Sequence, residues 1–211
     1  MWNPLRFIRS ARDVMLDAPT LFANLPRGGI WRALGFCTWV AVCLAVCSLF
    51  TEIAQLHVDW RDVPTLRALG IYGTSRFVEH VARTYVIVIV TGVGFHLLAR
   101  VFGGGAAPSV AAKTAGYGSA FLLYNAAITL ASTLTPFVEL AALVTGTLIQ
   151  VYFYFTCFDV AAVEHYGVSR RRATVIAGAT VALLVPCMFL ALAVVTAVGL
   201  YAARLWALLP H

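Results

Sequence analysis

Long apolar runs separated by short polar segments dominate the chain. Five of these runs cover about residues 34–50, 82–101, 115–134, 138–158 and 175–203. A helix needs roughly 20 residues, at about 1.5 Å per residue, to cross the hydrocarbon core of a bilayer. The pattern therefore predicts an all-α polytopic membrane protein, with five transmembrane helices forming one domain over residues 34–205.

The segment before the first run, residues 1–33, has a different pattern. A helix over residues 3–16 would carry Phe7, Ile8, Ala11, Val14 and Met15 on its apolar face, and Arg6, Arg9, Ser10 and Asp13 on its polar face. This pattern is typical of an amphipathic helix that lies in the cytoplasmic headgroup region against anionic lipids. An ordinary amphipathic helix docked on the protein's own spans would show the same pattern.

The composition excludes an ordinary soluble domain. Hydrophobic residues make up 61% of the chain and charged residues only 11%, whereas soluble domains have about 25% charged residues. The net charge of +6 would favour nucleic acid as the partner of a soluble protein. Because the basic residues here stand between apolar runs, we expect contact with anionic headgroups instead, and no nucleic-acid partner.

Basic residues are divided unequally between the two sides of this topology. With a cytoplasmic N-terminus, the inner set is Arg6, Arg9, Arg12, Arg27, Arg32, Arg100, Lys113 and Arg170 to Arg172, and the outer set is Arg61, Arg67, Arg76, Arg83 and Arg204. Cytoplasmic loops of membrane proteins carry an excess of Lys and Arg. The distribution therefore predicts a cytoplasmic N-terminus and, with an odd number of spans, an outside C-terminus.

Two amides interrupt the apolar runs near their centres, Asn125 in the third run and Gln150 in the fourth. Because these two spans are antiparallel and joined by a short turn, the two side chains reach a similar depth. We predict a hydrogen bond between them, worth about 0.6–2 kcal/mol in a membrane. The alternative is a polar groove, shared with Tyr154, that contacts a lipid headgroup or a substrate.

A second polar group gathers at the predicted cytoplasmic ends of the spans. It comprises His96, Arg100, Lys113, Asp159, Arg170, Arg171 and Arg172. Within this group we expect Asp159 to pair with Arg100 or Lys113. The charges either satisfy one another at the interface or form a docking surface for a cytoplasmic partner or an anionic lipid.

The spacing of reactive residues does not indicate catalysis, a cofactor or a metal. A haem between spans needs two facing histidines, and only His96 falls within a predicted span. Ser119 stands in a glycine-rich setting, but the glycine that follows a nucleophilic serine in G-x-S-x-G is absent. The five cysteines show no C-x-x-C spacing and are expected to be free thiols within spans. We therefore predict no catalytic residues, no cofactor and no metal.

Two short motifs give the chain a resemblance to a known family. The second run ends in FHLLARVFGG over residues 95–104, and the third opens with GYGSAFLLY over residues 116–124. With the element Asp17-Ala18-Pro19 and the five spans, these motifs resemble the Yip-domain (Ypt/Rab-interacting) family of five-span membrane proteins. The resemblance covers about residues 10–205 and implies Asp17, Pro19, Gly116, Tyr117 and Tyr124 as the matching positions.

Two departures from the family's pattern bear on function. Asn125 stands where the family often has a proline, and the long cytoplasmic N-terminal region of the eukaryotic trafficking members does not precede the spans. The resemblance therefore implies a relative of the bacterial type, located in a bacterial cytoplasmic (inner) membrane, rather than a protein that binds Rab-type GTPases.

These observations favour a non-enzymatic scaffold or accessory subunit that binds a membrane-protein partner, or a second copy of itself, within or at the membrane. Small residues at which helix backbones can approach closely support this interpretation. They are Gly92, Gly94, Ala142, Gly146, Gly178 and Ala182. The alternative is a lipid-binding, lipid-scrambling or transport component, which would act as an oligomer because five spans are few for a transporter.

Overall fold

The fold is a bundle of helices in every part that the structure describes. A computed structural model describes residues 4–26, 29–56, 63–131 and 136–184, with single positions at 186, 189, 193 and 197. The helices are α1 Pro4–Leu16, α2 Ala18–Ala23, α3 Ile30–Leu56, α4 Val63–Val101, α5 Pro108–Gly118, α6 Leu123–Ala131, α7 Pro136–Glu164 and α8 Arg170–Ala182, with a 3-10 turn at Ser119–Leu122. The predicted all-α fold is confirmed for these residues.

Three of the described helices are long and apolar enough to cross a membrane. The candidate spans are Ile30–Thr51 in α3, Phe77–Val101 in α4 and Leu140–Glu164 in α7. They correspond to the first, second and fourth predicted spans. By the length and composition of these helices, the chain is a multi-pass membrane protein.

The third and fifth predicted spans are not among these candidate spans. Over 115–134, the structure has the end of α5, the 3-10 turn and α6, so the helical run is continuous from Pro108 to Ala131 but changes its winding in the middle. Helix α8 begins before the fifth predicted span, and most of the remainder to residue 203 lies outside the described residues. The count of five spans therefore stays a prediction.

Helix α4 is much longer than the span predicted for it. It runs for 39 residues from Val63 to Val101, about 58 Å at 1.5 Å per residue, or nearly twice the thickness of the hydrocarbon core. Helix α4 therefore begins before the predicted span at about residue 82, because an apolar run marks only the part of a helix that suits lipid. Pro64 lies in the first turn, where its missing N–H breaks no helical bond.

Helix α1 docks on the rest of the protein through part of its predicted apolar face. The ring centroid of Phe7 lies 5.2 Å from that of Phe36 and 5.9 Å from that of Trp39. Ala11 and Val14 are also buried, whereas Ile8 is 59% exposed. For three of the five face residues, the docked alternative is therefore confirmed. The location of α1 in the headgroup region stays a prediction.

Close helix packing depends on glycine at several positions. A Cβ added to Gly116 would lie 2.8 Å from the Cβ of Ala33, so α5 and α3 approach at this point. A Cβ on Gly92 would lie 3.3 Å from the Cβ of Ala115, and one on Gly146 would meet the side chain of Ile128. These glycines pack helices of the same chain against one another.

Helices α4 and α7 end in the same way and at the same end of the bundle. Gly103 follows α4 with φ of +88°, and Gly167 follows α7 with φ of +66°, a conformation that only glycine adopts without strain. The two turns are joined by a hydrogen bond of 3.2 Å from Gly105 N to the carbonyl of Tyr166. This bond fixes Tyr166 over the end of α4.

Candidate functional site

An apolar groove of about 630 Å³ lies between the start of α3, the second half of α4 and the start of α5. Its lining is predominantly apolar. The lining residues are Ile30, Leu34, Tyr85, Val88, Ile89, Gly92, Val93, His96, Leu97, Pro108, Ser109 and Ala112. Ile89, Val93 and Leu97, at spacings of four, are each more than half exposed along the α4 side of the groove. The groove is therefore open laterally, toward the space that lipid fills around a membrane protein.

Tyr85 lines the groove at the end farther from His96. Its hydroxyl lies 2.8 Å from Thr38 Oγ1 and 3.2 Å from the carbonyl oxygen of Leu34, both on α3. These bonds hold the ring across the gap between α3 and α4. Because the hydroxyl is already satisfied by α3, this end of the groove presents an apolar ring rather than a free polar group.

The opposite end of the groove carries His96. Its Nδ1 lies 2.8 Å from the hydroxyl of Tyr166, whose ring packs edge-on to that of Phe95 at 5.2 Å. Burial raises the pKa of Tyr166 to about 12, against a smaller opposite effect from the positive charge of Arg100. Tyr166 therefore keeps its proton at neutral pH and can donate it to Nδ1 of His96.

This hydrogen bond occupies Nδ1 of His96, so the ring nitrogen that can contact a ligand is Nε2. A neutral imidazole that accepts at Nδ1 carries its own hydrogen at Nε2 and is a donor there. Within the part of the chain that the structure describes, Nε2 of His96 has no protein partner. Nε2 of His96 is therefore available at this end of the groove, and it is a donor when Tyr166 donates to Nδ1.

Two features that favour negative charge lie near the same end. Arg100 lies one turn after His96 on α4 and is exposed. Pro108 and Ser109 form the first turn of α5, and the preceding Ala107 makes no side-chain cap. The backbone N–H groups and the helix dipole at such a terminus favour negative charge.

The structure rearranges the predicted cluster of charges. Asp159, which is buried, lies 3.6 Å from Arg170 Nε and accepts a hydrogen bond of 3.2 Å from Thr174 Oγ1. The expected pair with Arg100 or Lys113 is wrong. The short turn 165–169 returns α8 along α7 and places the α8 N-terminus beside Asp159. Two other members of the cluster lie apart from this pair: Arg172 donates to the carbonyl of Phe102 at 3.4 Å, and Arg171 is exposed.

The predicted hydrogen bond between the two amides is present. Gln150 Nε2 donates to Asn125 Oδ1 over 2.7 Å, joining α7 to α6. Tyr154, however, is 2% exposed and packs against Phe121 and Phe158 at 6.0 Å. The alternative of an open polar groove along Asn125, Gln150 and Tyr154 is therefore wrong.

Ser119 and His96 do not meet. The Ser119 hydroxyl is buried and donates to the carbonyl of Gly116 at 2.7 Å, with Cys37 Sγ at 3.6 Å. His96 instead contacts Tyr166. Among the described residues there is also no group of three or more His, Cys, Asp or Glu side chains placed to hold a metal ion.

The positions implied by the family resemblance are spread over α2, α5, α6 and the residue before α2. Asp17 precedes α2, whose first turn contains Pro19. Gly116 and Tyr117 are buried on α5, and the Tyr117 ring lies 5.3 Å from that of Phe36. Tyr124 stacks on Phe153 at 6.1 Å. Of these five residues, none lines the groove.

Comparison with known proteins leaves the family undecided. No family model, no curated protein and no solved structure matches the chain. The resemblance to the Yip-domain family stays a prediction.

The sequence patterns did not single out Tyr85, which lines the groove, or Tyr166, which contacts His96. Tyr166 lies in a loop and Tyr85 lies in an apolar run, so neither stands out by composition. The signal for Tyr166 was the pair of glycine-rich turns at 103–105 and 167, which the predicted topology already placed on the same side of the membrane.

Proposed function

We propose that the protein binds lipid, and that the groove between α3, α4 and α5 holds one acyl chain of an anionic lipid without any catalytic step. One observation carries this proposal. The groove is apolar along most of its length, and His96 and Ser109 place their polar groups at the same end of it. An amphiphile with one chain and one acceptor-bearing headgroup matches that distribution of polarity.

The length of the groove supports an acyl chain as the occupant. Leu97 lies 12 residues after Tyr85 on α4, which corresponds to about 18 Å of helix. The hydrocarbon core is about 30 Å thick, so one leaflet is about 15 Å. The groove therefore has the length of one chain in one leaflet.

Charge complementarity supports an anionic headgroup. His96 and the first turn of α5 line one end of the groove, and exposed Arg100 follows His96 by one turn of α4. The proposed orientation, with a cytoplasmic N-terminus and an outside C-terminus in a five-span topology, puts this end at the cytoplasmic leaflet of a bacterial inner membrane. Anionic lipids attract basic residues there.

The test is the amount of lipid that stays with the purified protein. Val93→Trp fills the groove with a larger side chain, whereas Leu148→Trp places the same side chain on an exposed face of α7 outside the groove. We expect the wild-type protein and Leu148→Trp to retain about one anionic lipid per chain, measured by mass spectrometry after extraction in mild detergent. Val93→Trp should retain several-fold less.

The headgroup is tested separately from the chain. Arg100→Gln should reduce the ratio of anionic to zwitterionic lipid retained while leaving the total amount near that of the wild type. Equal retention by the wild type, Val93→Trp and Leu148→Trp would contradict the proposal.

A scaffold or accessory subunit is the second candidate function. The glycines that suggested it at 92, 94 and 146 pack against other helices of the same chain, so they are not available to a partner. The remaining surface is the exposed apolar face of α7, which includes Leu140, Leu143 and Leu148. A partner or second copy bound there would co-purify in stoichiometric amount and would be lost in Leu148→Arg.

A further inference from the structure

Helix α1 has two apolar sides, and only one of them is buried. Phe7, Ala11 and Val14 share the side that docks on the bundle, and all three are buried. At roughly 100° per residue, a second group of apolar residues falls on another side of the helix. These residues are all more than half exposed: Leu5 at 63%, Ile8 at 59% and Leu16 at 79%.

Two arginines stand among these exposed apolar residues. Arg9 and Arg12 are exposed, and on the helical wheel they fall on the same arc, about 100° wide, that contains the exposed leucines and isoleucine. Arg12 is paired with Asp13 at 2.9 Å, but Asp13 itself lies beyond this arc. We call the five residues of the arc the outward side of α1: Leu5, Ile8, Arg9, Arg12 and Leu16.

The outward side combines large apolar side chains with positive charge and contains no acidic residue. This combination is typical of helices that contact the surface of an anionic membrane, where leucine and isoleucine enter the acyl boundary and arginine binds phosphates. A water-exposed side of a helix would instead carry mainly polar residues. The third side of α1, with Ser10 and Asp13, has that polar character.

The position of α1 on the bundle favours lipid as the neighbour of the outward side. Phe7 packs on Phe36 and Trp39 of α3, which lie about 9–14 Å along the helix from its start at 1.5 Å per residue. This part of α3 belongs to the candidate span Ile30–Thr51. The N-terminal half of α1 therefore lies beside a segment that suits the apolar core of a bilayer.

The other end of α1 lies near the end of a different candidate span. Helix α1 leads into α2, where the carbonyl oxygen of Phe22 lies 2.8 Å from Nε2 of His165. His165 follows directly after α7, whose candidate span ends at Glu164. The helix therefore runs obliquely, from the end of the α7 span toward the middle of the bundle.

We propose that the outward side of α1 contacts anionic lipid of the surrounding bilayer. The leucines and isoleucine pack among acyl chains, and the two guanidinium groups bind lipid phosphates. Helix α1 is then held between α3 and lipid, and the lipid lies against a different side of the helix from the predicted apolar face. None of these residues lines the groove, so the two lipid contacts succeed or fail independently.

Photo-crosslinking in vesicles tests this contact directly. Ile8→benzoylphenylalanine and Leu16→benzoylphenylalanine place the photoreactive group on the outward side, and Ser10→benzoylphenylalanine places it on the polar side as the control. Each full-length variant is reconstituted alone into vesicles of phosphatidylethanolamine and phosphatidylglycerol and irradiated, and lipid adducts are measured by mass spectrometry. We expect several-fold more lipid adduct in the Ile8 and Leu16 variants than in the Ser10 variant.

The lipid composition of the adducts tests the role of the arginines. Adding Arg9→Gln and Arg12→Gln to the Ile8 variant should lower the ratio of phosphatidylglycerol to phosphatidylethanolamine adducts several-fold, because anionic lipid is no longer attracted to this side. Adding Arg171→Gln and Arg172→Gln instead removes the same charge from exposed positions of α8 and should leave the ratio unchanged.

Three results would overturn the proposal. The first is a lipid adduct yield in the Ile8 and Leu16 variants that does not exceed the yield in the Ser10 variant. The second is crosslinking between two copies of the chain in place of lipid adducts, because a second copy would then cover the outward side. The third is an unchanged adduct ratio after loss of Arg9 and Arg12, which would exclude a specific contact with anionic lipid.

Discussion

Gln150 on α7 donates a hydrogen bond of 2.7 Å from Nε2 to Oδ1 of Asn125 on α6. Each amide lies in an apolar helix, and each supplies the other with a partner that lipid cannot provide. Asn125 also lines a small pocket of about 70 Å³ between α4 and α6. The bond therefore joins α6 to α7 within the apolar part of the bundle.

The first prediction concerns this bond. Asn125→Leu and Gln150→Leu should each lower the free energy of unfolding, because each leaves one amide without its partner. In a double-mutant cycle the coupling energy should be about 0.6–2 kcal/mol, measured by unfolding in mixed micelles. Thr147→Leu, an exposed change on α7, serves as the control. A coupling energy of zero would show that the bond does not stabilise the protein.

The second prediction concerns the close approach of α5 and α3. Gly116→Ala would place a Cβ 2.8 Å from the Cβ and 3.3 Å from the carbonyl oxygen of Ala33, so the backbones must separate. We expect a loss of about 1–3 kcal/mol in unfolding free energy. Gly105→Ala adds the same methyl group where no atom lies within 4 Å and should change stability by less than about 0.5 kcal/mol. Equal effects of the two variants would contradict this explanation.

The third prediction compares two adjacent arginines on α8. Arg170→Gln removes the charge 3.6 Å from the buried carboxylate of Asp159, whereas Arg171 is exposed. Because the Arg170 side chain is itself 80% exposed, solvent screens the pair and the expected loss is only about 1 kcal/mol. Arg171→Gln should leave the unfolding free energy unchanged. Both variants lose one positive charge, so the comparison tests the position of the charge and not the net charge. Equal losses of unfolding free energy would refute a specific role for Arg170.

The fourth prediction concerns stability at alkaline pH. Burial raises the pKa of Tyr166 from 10.0 to about 12 in the folded protein. Between these two values the unfolded chain has lost the proton and the folded chain still holds it, so the unfolding free energy must fall as pH rises from about 10 to about 12. The contribution of Tyr166 to the unfolding free energy is fully present below about pH 10. Tyr166→Phe should lack this part of the pH dependence, as measured by denaturant unfolding at several pH values.

Much of the fold could be predicted because a helix that crosses lipid needs a run of about 20 mainly apolar residues. Apolar runs of about 20 residues located α3, α7 and the inner part of α4. The same rule failed at the start of α4, since a helix that leaves the lipid continues without an apolar pattern. The apolar pattern also did not predict the 3-10 turn at Ser119–Leu122, because the same residues can form an α-helix or a 3-10 helix.

The site was less predictable, for physical reasons that differ from residue to residue. The depth of Asn125 and Gln150 in antiparallel spans was enough to pair them. The partner of Asp159 depended on the path of the turn at 165–169, and the partner of His96 depended on a tyrosine held there by Gly105. The conformation of these turns determines which residues Asp159 and His96 contact. The spacing of apolar residues does not predict the conformation of a turn.

The 3-10 turn shifts the rotational phase of the run from α5 to α6. An α-helix advances roughly 100° per residue and a 3-10 helix roughly 120°, so four residues add about 80°. Tyr117 and Asn125 would be about 80° apart around a uniform α-helix, and the turn increases this to about 160°. Tyr117 accordingly meets Phe36 on α3 while Asn125 meets Gln150 on α7. Inserting or deleting one residue in the turn would rotate α6 relative to α5. The residues of one of these helices would then contact different neighbours, while those of the other helix would keep theirs.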